Sequence, residues 1–223
     1  MLYFFQRGDY FMNKSVIIKD FIKQNGTKNK LGKGDYLEDD FENYLYLLEK
    51  GILYIYQDNI DGTTLIYKII SPNNLFFCDN NKYFRGKSEV VFYKIPIDTI
   101  RKNSSLFTQY TKLLTLENKK KDMFIRDMLT KDKVCRLLSI FVRLCNTFRE
   151  IKDDVIIIKI KITQEELAHF CGTTRENVAR IMKQLKEKNI LDTSSHYLKI
   201  LDLEKIKNII PCEGCNGFIC KTF

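Results

Sequence analysis

The stretch Thr163-Gln164-Glu165-Glu166-Leu167-Ala168-His169-Phe170-Cys171-Gly172-Thr173-Thr174-Arg175-Glu176-Asn177-Val178-Ala179-Arg180 decides how the chain is read. Thr163 and Glu166 have capping-box spacing: the hydroxyl reaches the N3 amide and the carboxylate returns to the cap amide. The helix they open turns Leu167 and Phe170 inward and breaks at Cys171-Gly172. Thr173 with Glu176 repeats the spacing and opens a second helix, whose buried face is Val178, Ile181, Met182 and Leu185. Two helices with glycine between them, the second longer and basic on its outer face, form a helix-turn-helix pattern. A strand over Val155–Ile162 precedes it. After Asn189-Ile190-Leu191, the turn Ser194-Ser195 and the run Tyr197-Leu198-Lys199-Ile200 predict a wing hairpin.

The second helix of such a unit enters the DNA major groove by its N-terminal residues. Its first turn exposes Arg175, Glu176, Ala179 and Arg180. An arginine fork fits guanine O6 and N7, and a glutamate accepts from cytosine N4. Thr173, Thr174, Lys183 and Lys186 suit phosphates, which position a helix without specifying bases. The competing reading is an ordinary surface helix with Glu176 and Arg180 as an i,i+4 pair. Charge leaves the two even: 37 Lys and Arg against 28 Asp and Glu, a net charge of +9, suit a polyanion or a lysine-rich solvated surface. Strand, two caps, glycine break and wing together favour double-stranded DNA.

Upstream, Val134, Leu137, Leu138, Phe141, Leu144, Cys145 and Phe148 form a 3.6-residue stripe, with Cys145 a small buried hydrophobe. Before it, Leu106, Phe107, Tyr110, Leu113 and Leu114 share a face that Phe124, Ile125 and Met128 resume. That predicts a long connecting helix, although Glu117 and Lys121 interrupt the best heptad register for a dimer seam. Between Leu31 and Ile100, short β-branched and aromatic runs alternate with turns. Asp61-Gly62 marks a hairpin between Ile52–Gln57 and Thr63–Ile70, Ser71–Asn74 another turn, and Glu89–Ile95 another strand. An antiparallel barrel or sandwich follows, shortened by the look of its strands. Val16–Ile18 with Phe21 and Ile22 predict a short helix ahead of it.

The expected fold is therefore α+β: an antiparallel β-barrel of cupin or jelly-roll type over 1–102, a long connecting or dimerisation helix over 103–132, a winged helix-turn-helix over 133–210 and a cysteine-rich tail over 211–223. No apolar run approaches the ~20 residues of a membrane span. The N-terminus has its apolar residues before its charge, unlike a secretory signal. Seven cysteines is an odd count, and Cys78, Cys135, Cys145 and Cys171 are scattered, so a reducing cytoplasm is expected rather than a disulfide framework. An enzyme is not expected, since the two histidines, His169 and His196, have no nucleophile motif near them.

On these residues the chain resembles the Crp/Fnr family of bacterial regulators, from barrel to winged helix-turn-helix. In that family an R-E-x-x-G-R pattern reads TGTGA-type half-sites; here it stands as Arg175-Glu176-Asn177-Val178-Ala179-Arg180. Members with Ser at the penultimate position prefer TTGAT, so Ala179 favours the TGTGA type. The resemblance implies a homodimer on a palindromic operator, with RNA polymerase as a further partner. Members that bind cyclic nucleotides carry a Gly-Glu-Leu stretch and a downstream Arg-x-Ala or Arg-x-Ser. Residues 74–88 contain no Gly-Glu-Leu, so Arg85 reads as a surface charge and cyclic nucleotide is not expected.

The tail reads Pro211-Cys212-Glu213-Gly214-Cys215-Asn216-Gly217-Phe218-Ile219-Cys220. Three thiolates on a glycine-relaxed loop can converge on one centre. Iron–sulfur clusters take such sets with a further ligand; zinc takes C-x2-C equally; a disulfide or idle thiols are the remaining readings. Resemblance adds that Fnr of the Bacillus type holds a [4Fe-4S] cluster on three C-terminal cysteines of this spacing. Its fourth ligand there is an aspartate of the long helix, in an Ile-Arg-Asp-Leu context. The matching residues are Cys212, Cys215, Cys220 and, in Ile125-Arg126-Asp127-Met128, Asp127. Otherwise Asp127 is a solvated charge or a partner of Lys131.

Overall fold

An unbroken apolar run such as Leu45-Tyr46-Leu47-Leu48 cannot belong to a strand with one wet face, because alternate side chains point to opposite sides of a sheet. In the computed structural model, which describes residues 16–37, 39–77, 79–130, 132–210 and 220–221, that run lies in a strand buried on both faces. The strands are β1 (Thr27–Leu31), β2 (Tyr36–Leu37), β3 (Tyr44–Lys50), β4 (Leu53–Asp58), β5 (Thr64–Ile70), β6 (Asn74–Phe76), β7 (Tyr83–Gly86) and β8 (Val90–Pro96). They form two antiparallel sheets of order β1-β8-β3-β6 and β2-β7-β4-β5. Tyr46 and Leu48 join Phe41, Leu53, Ile55, Phe76, Phe84 and Phe92 between the sheets. Leu45 and Leu47 join Ile95, Ile97, Ile100, Leu106 and Tyr110 outside, beneath helix α1 (residues 16–25), which supplies Ile18 and Ile22.

Among the described residues the barrel has eight strands, more than the sequence pattern makes visible. β2, β6 and β7 are two to four residues long, too short for a period-2 pattern to register. The β4–β5 hairpin turns at Asp61-Gly62 as expected: Gly62 has φ 79°, and Asp61 accepts from the Thr63 amide at 2.9 Å. Gly51, at φ 88°, makes the β3–β4 turn, where a Cβ would sit 2.1 Å from the Glu89 carbonyl oxygen.

Helix α2 (Ile97–Arg101) leads into α3 (Ser104–Thr130), a 27-residue helix about 40 Å long. Two compact units divide within it, between residues 118 and 119. Glu117, which breaks the heptad pattern in sequence, is buried and paired with Lys68 of β5 at 2.6 Å. Its register is set by the barrel of its own unit.

The second unit holds α4 (Lys133–Phe148), β9 (Arg149–Lys152), β10 (Val155–Ile158), α5 (Gln164–Cys171), α6 (Arg175–Glu187), β11 (Leu191–Asp192), β12 (Lys199–Ile200) and α7 (Leu203–Ile209). Its sheet has the order β11-β12-β10-β9. The predicted strand over Val155–Ile162 ends at Ile158. It is paired on one side with β9 through a turn the sequence reading missed, at Asp153-Asp154, where both φ angles are positive. The wing is β11–β12, with Asp192 accepting from the Ser194 amide. Along α4 the stripe Leu137, Leu138, Phe141, Leu144 and Cys145 is buried, and burial pushes the Cys145 thiol up to about 12. Cys145 is therefore a packing residue.

Candidate nucleic-acid interface and metal centre

Two short capped helices place the side chains that the sequence offers for reading a groove. At α5 the Thr163 hydroxyl accepts from the Glu166 amide at 3.1 Å, and Glu166 accepts from the Thr163 amide at 2.7 Å, completing the box. Gly172 ends the helix in the left-handed region at φ 60°, where a Cβ costs conformational energy. The second cap falls one residue later than its spacing suggests. Thr174, not Thr173, is the N-cap of α6, accepting from the Asn177 amide at 3.3 Å. Thr173 instead accepts from the Asn177 side-chain amide at 3.3 Å. The Thr173–Glu176 spacing matched the box, but the tight turn after Gly172 consumes one more residue before helical geometry begins.

From α6, Val178, Ile181, Met182 and Leu185 point inward. Arg175, Glu176, Arg180, Lys183 and Lys186 are exposed, as is Thr174, while Thr173 is half-buried. Glu176 sits in the first turn, where its own backbone amide and the Thr174 hydroxyl hold its carboxyl below the usual carboxylate range. It is therefore an anionic acceptor. Arg180 lies within 3.4 Å of the Asn177 side-chain oxygen, so Asn177 touches both threonines and the arginine. The sequence reading passed over it. Arg85, expected as a surface charge, is exposed and stacks on Tyr36 at 5.0 Å.

The predicted metal ligands fall partly outside the described residues: Cys212 and Cys215 lie there, Cys220 and Asp127 do not. Asp127 is not a solvated charge, and Lys131, its other expected partner, lies outside the described residues. Asp127 is buried and accepts a hydrogen bond from Arg143 of α4 at 2.9 Å. Arg143 is 1% exposed, and a guanidinium so buried is stable only when its charge is met. The same group reaches the Lys221 carbonyl at 3.3 Å and lies 5.4 Å from the centroid of the Phe124 ring. One turn on, the Asn146 amide donates to the Cys220 carbonyl at 2.8 Å. The last cysteine, the residue after it and the helix carboxylate thus meet on one face of α4. Phe124 in turn stacks on Phe170 of α5, centroids 5.7 Å apart.

Arg143 and Asn146 were invisible in the sequence reading. The only signal was a charged residue between Val142 and Leu144, within a run otherwise buried from Leu137 to Cys145. Among the described residues no three His, Cys, Asp or Glu side chains form a metal-binding group, and no helix is long and apolar enough to cross a membrane.

Residues 133–209 match the Crp-like helix-turn-helix domain. The Anaerobic regulatory protein of Bacillus subtilis is 27% identical over 217 residues, covering 90% of this chain and 91% of that protein. The HTH-type transcriptional regulator ArcR of Staphylococcus epidermidis is 27% identical over 182 residues, 75% of this chain and 78% of that one. Among solved structures, FixK2 of Bradyrhizobium japonicum superposes with a TM-score of 0.71 at 15% identity, covering 83% of this chain and 97% of its own. A Crp/Fnr-family regulator of Thermus thermophilus gives 0.68 at 16% identity, covering 84% and 100%.

Proposed function

We infer that this chain, a transcription regulator of the Crp/Fnr type, acts in the cytoplasm as a homodimer that reads TGTGA-like palindromes, answers to oxygen or redox state through a [4Fe-4S] cluster, and works with RNA polymerase. Arg175, Glu176 and Arg180 would read bases, and Thr173, Thr174, Lys183 and Lys186 would hold phosphates. Cys212, Cys215, Cys220 and Asp127 would hold the cluster.

The observation that carries the cluster reading is Arg143. One buried side chain donates both to Asp127 and to the backbone beside Cys220. Asp127 and the residue next to Cys220, 94 positions apart in the chain (221 minus 127), are thereby tied to a single group. The donor chemistry fits: thiolates with one carboxylate, the carboxylate itself hydrogen-bonded by a neighbour. When bound, the cluster supplies an oxygen-sensitive link between tail and helix α3. This chain's own residues extend that link toward DNA, because Arg143 packs on Phe124 and Phe124 on Phe170 of the helix-turn-helix. In the barrel, the rings of Phe41, Tyr46, Phe76, Phe84 and Phe92 fill the space between the sheets, which favours sensing in the tail over a nucleotide in the barrel.

The test is anaerobic purification, with absorption spectra, iron, sulfide and zinc analysis, and operator binding before and after air. Iron and sulfide at cluster stoichiometry, lost in air together with operator affinity and abolished by Cys215→Ser, support the reading. Asp127→Ala should leave the cluster absent or fragile. Stoichiometric zinc without sulfide defeats it.

A further inference from the structure

We propose that Arg143 and Asn146 are positioning residues of the tail site: they hold the end of the tail against α4 beside Asp127 before any iron arrives, and Arg143 then serves as the counter-charge of the assembled centre. The inference rests on the cluster reading for its second half and on geometry alone for its first.

The geometry is that of a latch. Residues 143 and 146 are three apart on α4, hence on one face. Asn146 donates to the carbonyl of Cys220 at 2.8 Å, and Arg143 to the carbonyl of the next residue, Lys221, at 3.3 Å. Consecutive tail carbonyls are thus held by side chains from successive positions of one helical face. The second Arg143 nitrogen is committed to Asp127 at 2.9 Å, while its Nε atom is buried without a hydrogen-bond partner. An unmet buried N–H is costly, so the side chain is held by its other contacts: two acceptors and the Phe124 ring. A planar fork can serve two acceptors in different directions in this way; a lysine ammonium at the same place carries the charge without the fork.

The second half follows from charge. Three thiolates and a carboxylate bring more negative charge than a [4Fe-4S] core neutralises, and a buried excess is unfavourable without a compensating cation. Arg143 is such a cation, already hydrogen-bonded to the proposed carboxylate ligand. Partners of this kind commonly set metal affinity by 10–100-fold. With Arg143 in place, Asp127 is held in position and the local charge is balanced.

Full-length wild type, Asn146→Ala, Arg143→Lys and Arg143→Met are compared, each first checked for a native circular dichroism spectrum and melt. In iron-free protein, the alkylation rate of Cys220 is followed by mass spectrometry, with Cys145 and Cys171, both buried, as internal controls for unfolding. The latch predicts several-fold faster alkylation of Cys220 in Asn146→Ala and Arg143→Met, with Cys145 and Cys171 still protected. After anaerobic reconstitution with iron and sulfide, bleaching in air should quicken on the order of 10-fold in Arg143→Met. The cluster's reduction potential should fall in Arg143→Met and stay near wild type in Arg143→Lys, a difference that lost packing does not produce. Native folding with unchanged Cys220 alkylation in Asn146→Ala overturns the latch. A reconstituted Arg143→Met with wild-type potential and bleaching rate overturns the counter-charge. If wild type takes up no iron and sulfide, the cluster reading and the counter-charge fall together, while alkylation still decides the latch.

Discussion

Arg175, Glu176 and Arg180 leave α6 toward solvent; Glu176 and Arg180 also touch the neighbouring Thr174 and Asn177 side chains, so on the proposed reading Arg175 gives the cleanest separation of DNA binding from folding. Arg175→Ala should then leave the melting temperature nearly unchanged and cost ~1–3 kcal/mol per half-site, relaxing preference at one base pair. Competition binding against a panel of single-substituted palindromes measures this. Equal weakening on scrambled and palindromic DNA would place the residue on phosphate instead. Lys183→Ala is the contrast: it should weaken all sequences alike and flatten the salt dependence. These exposed residues were legible because surface position follows from helical period once the inward face is known. Asn177 and Arg143 were not, since their importance lies in acceptors far away in sequence or in a turn whose length the pattern does not encode. A charge flanked by apolar residues looks the same in sequence whether it escapes to water or is buried against a carboxylate.

Among the elements, α3 shows how an apparent flaw in a pattern can be a contact. Glu117 interrupts the heptad reading, yet it is buried against Lys68 with both side chains almost wholly enclosed. Removing one member leaves an uncompensated buried charge, so Glu117→Ala should destabilise by ~3–5 kcal/mol. The double variant Lys68→Met with Glu117→Leu should recover most of that loss in chemical denaturation. A single variant costing no more than an exposed pair, ~0–1 kcal/mol, would show that water reaches the site. The caps of the helix-turn-helix were readable to within one residue, and each has a measurable cost. Thr163→Ala removes the acceptor for the Glu166 amide and should lower stability by ~0.5–2 kcal/mol, with Thr163→Ser largely neutral. The β9–β10 hairpin escaped notice because Asp153-Asp154 carries no glycine, although aspartate tolerates the left-handed conformation that both residues adopt. The strand following it was overextended in sequence because the apolar alternation continues to Ile162 after pairing has ended.

For the molecule as a whole, α3 carries exposed apolar side chains. Ile125 is 52% and Leu129 79% exposed, and the two are four residues apart on one face. A long helix with exposed apolar side chains can serve as the self-complementary surface that a two-fold dimer requires, and the palindromic operator proposed above would need that two-fold. Ile125→Glu with Leu129→Glu should therefore yield a folded monomer in sedimentation. Its affinity for a full palindrome should fall at least 10-fold, because one recognition helix would remain where two had acted together. The slope of affinity against salt should drop to roughly half, reflecting half the phosphate contacts. Because Asp127 lies between the two substituted positions, iron and sulfide content must be measured in the same protein. A monomer with iron and sulfide at the wild-type level would separate assembly from ligation. If the double variant stays dimeric and binds the palindrome as wild type does, the exposed stripe is not the seam, and the two-fold must come from another surface of the chain.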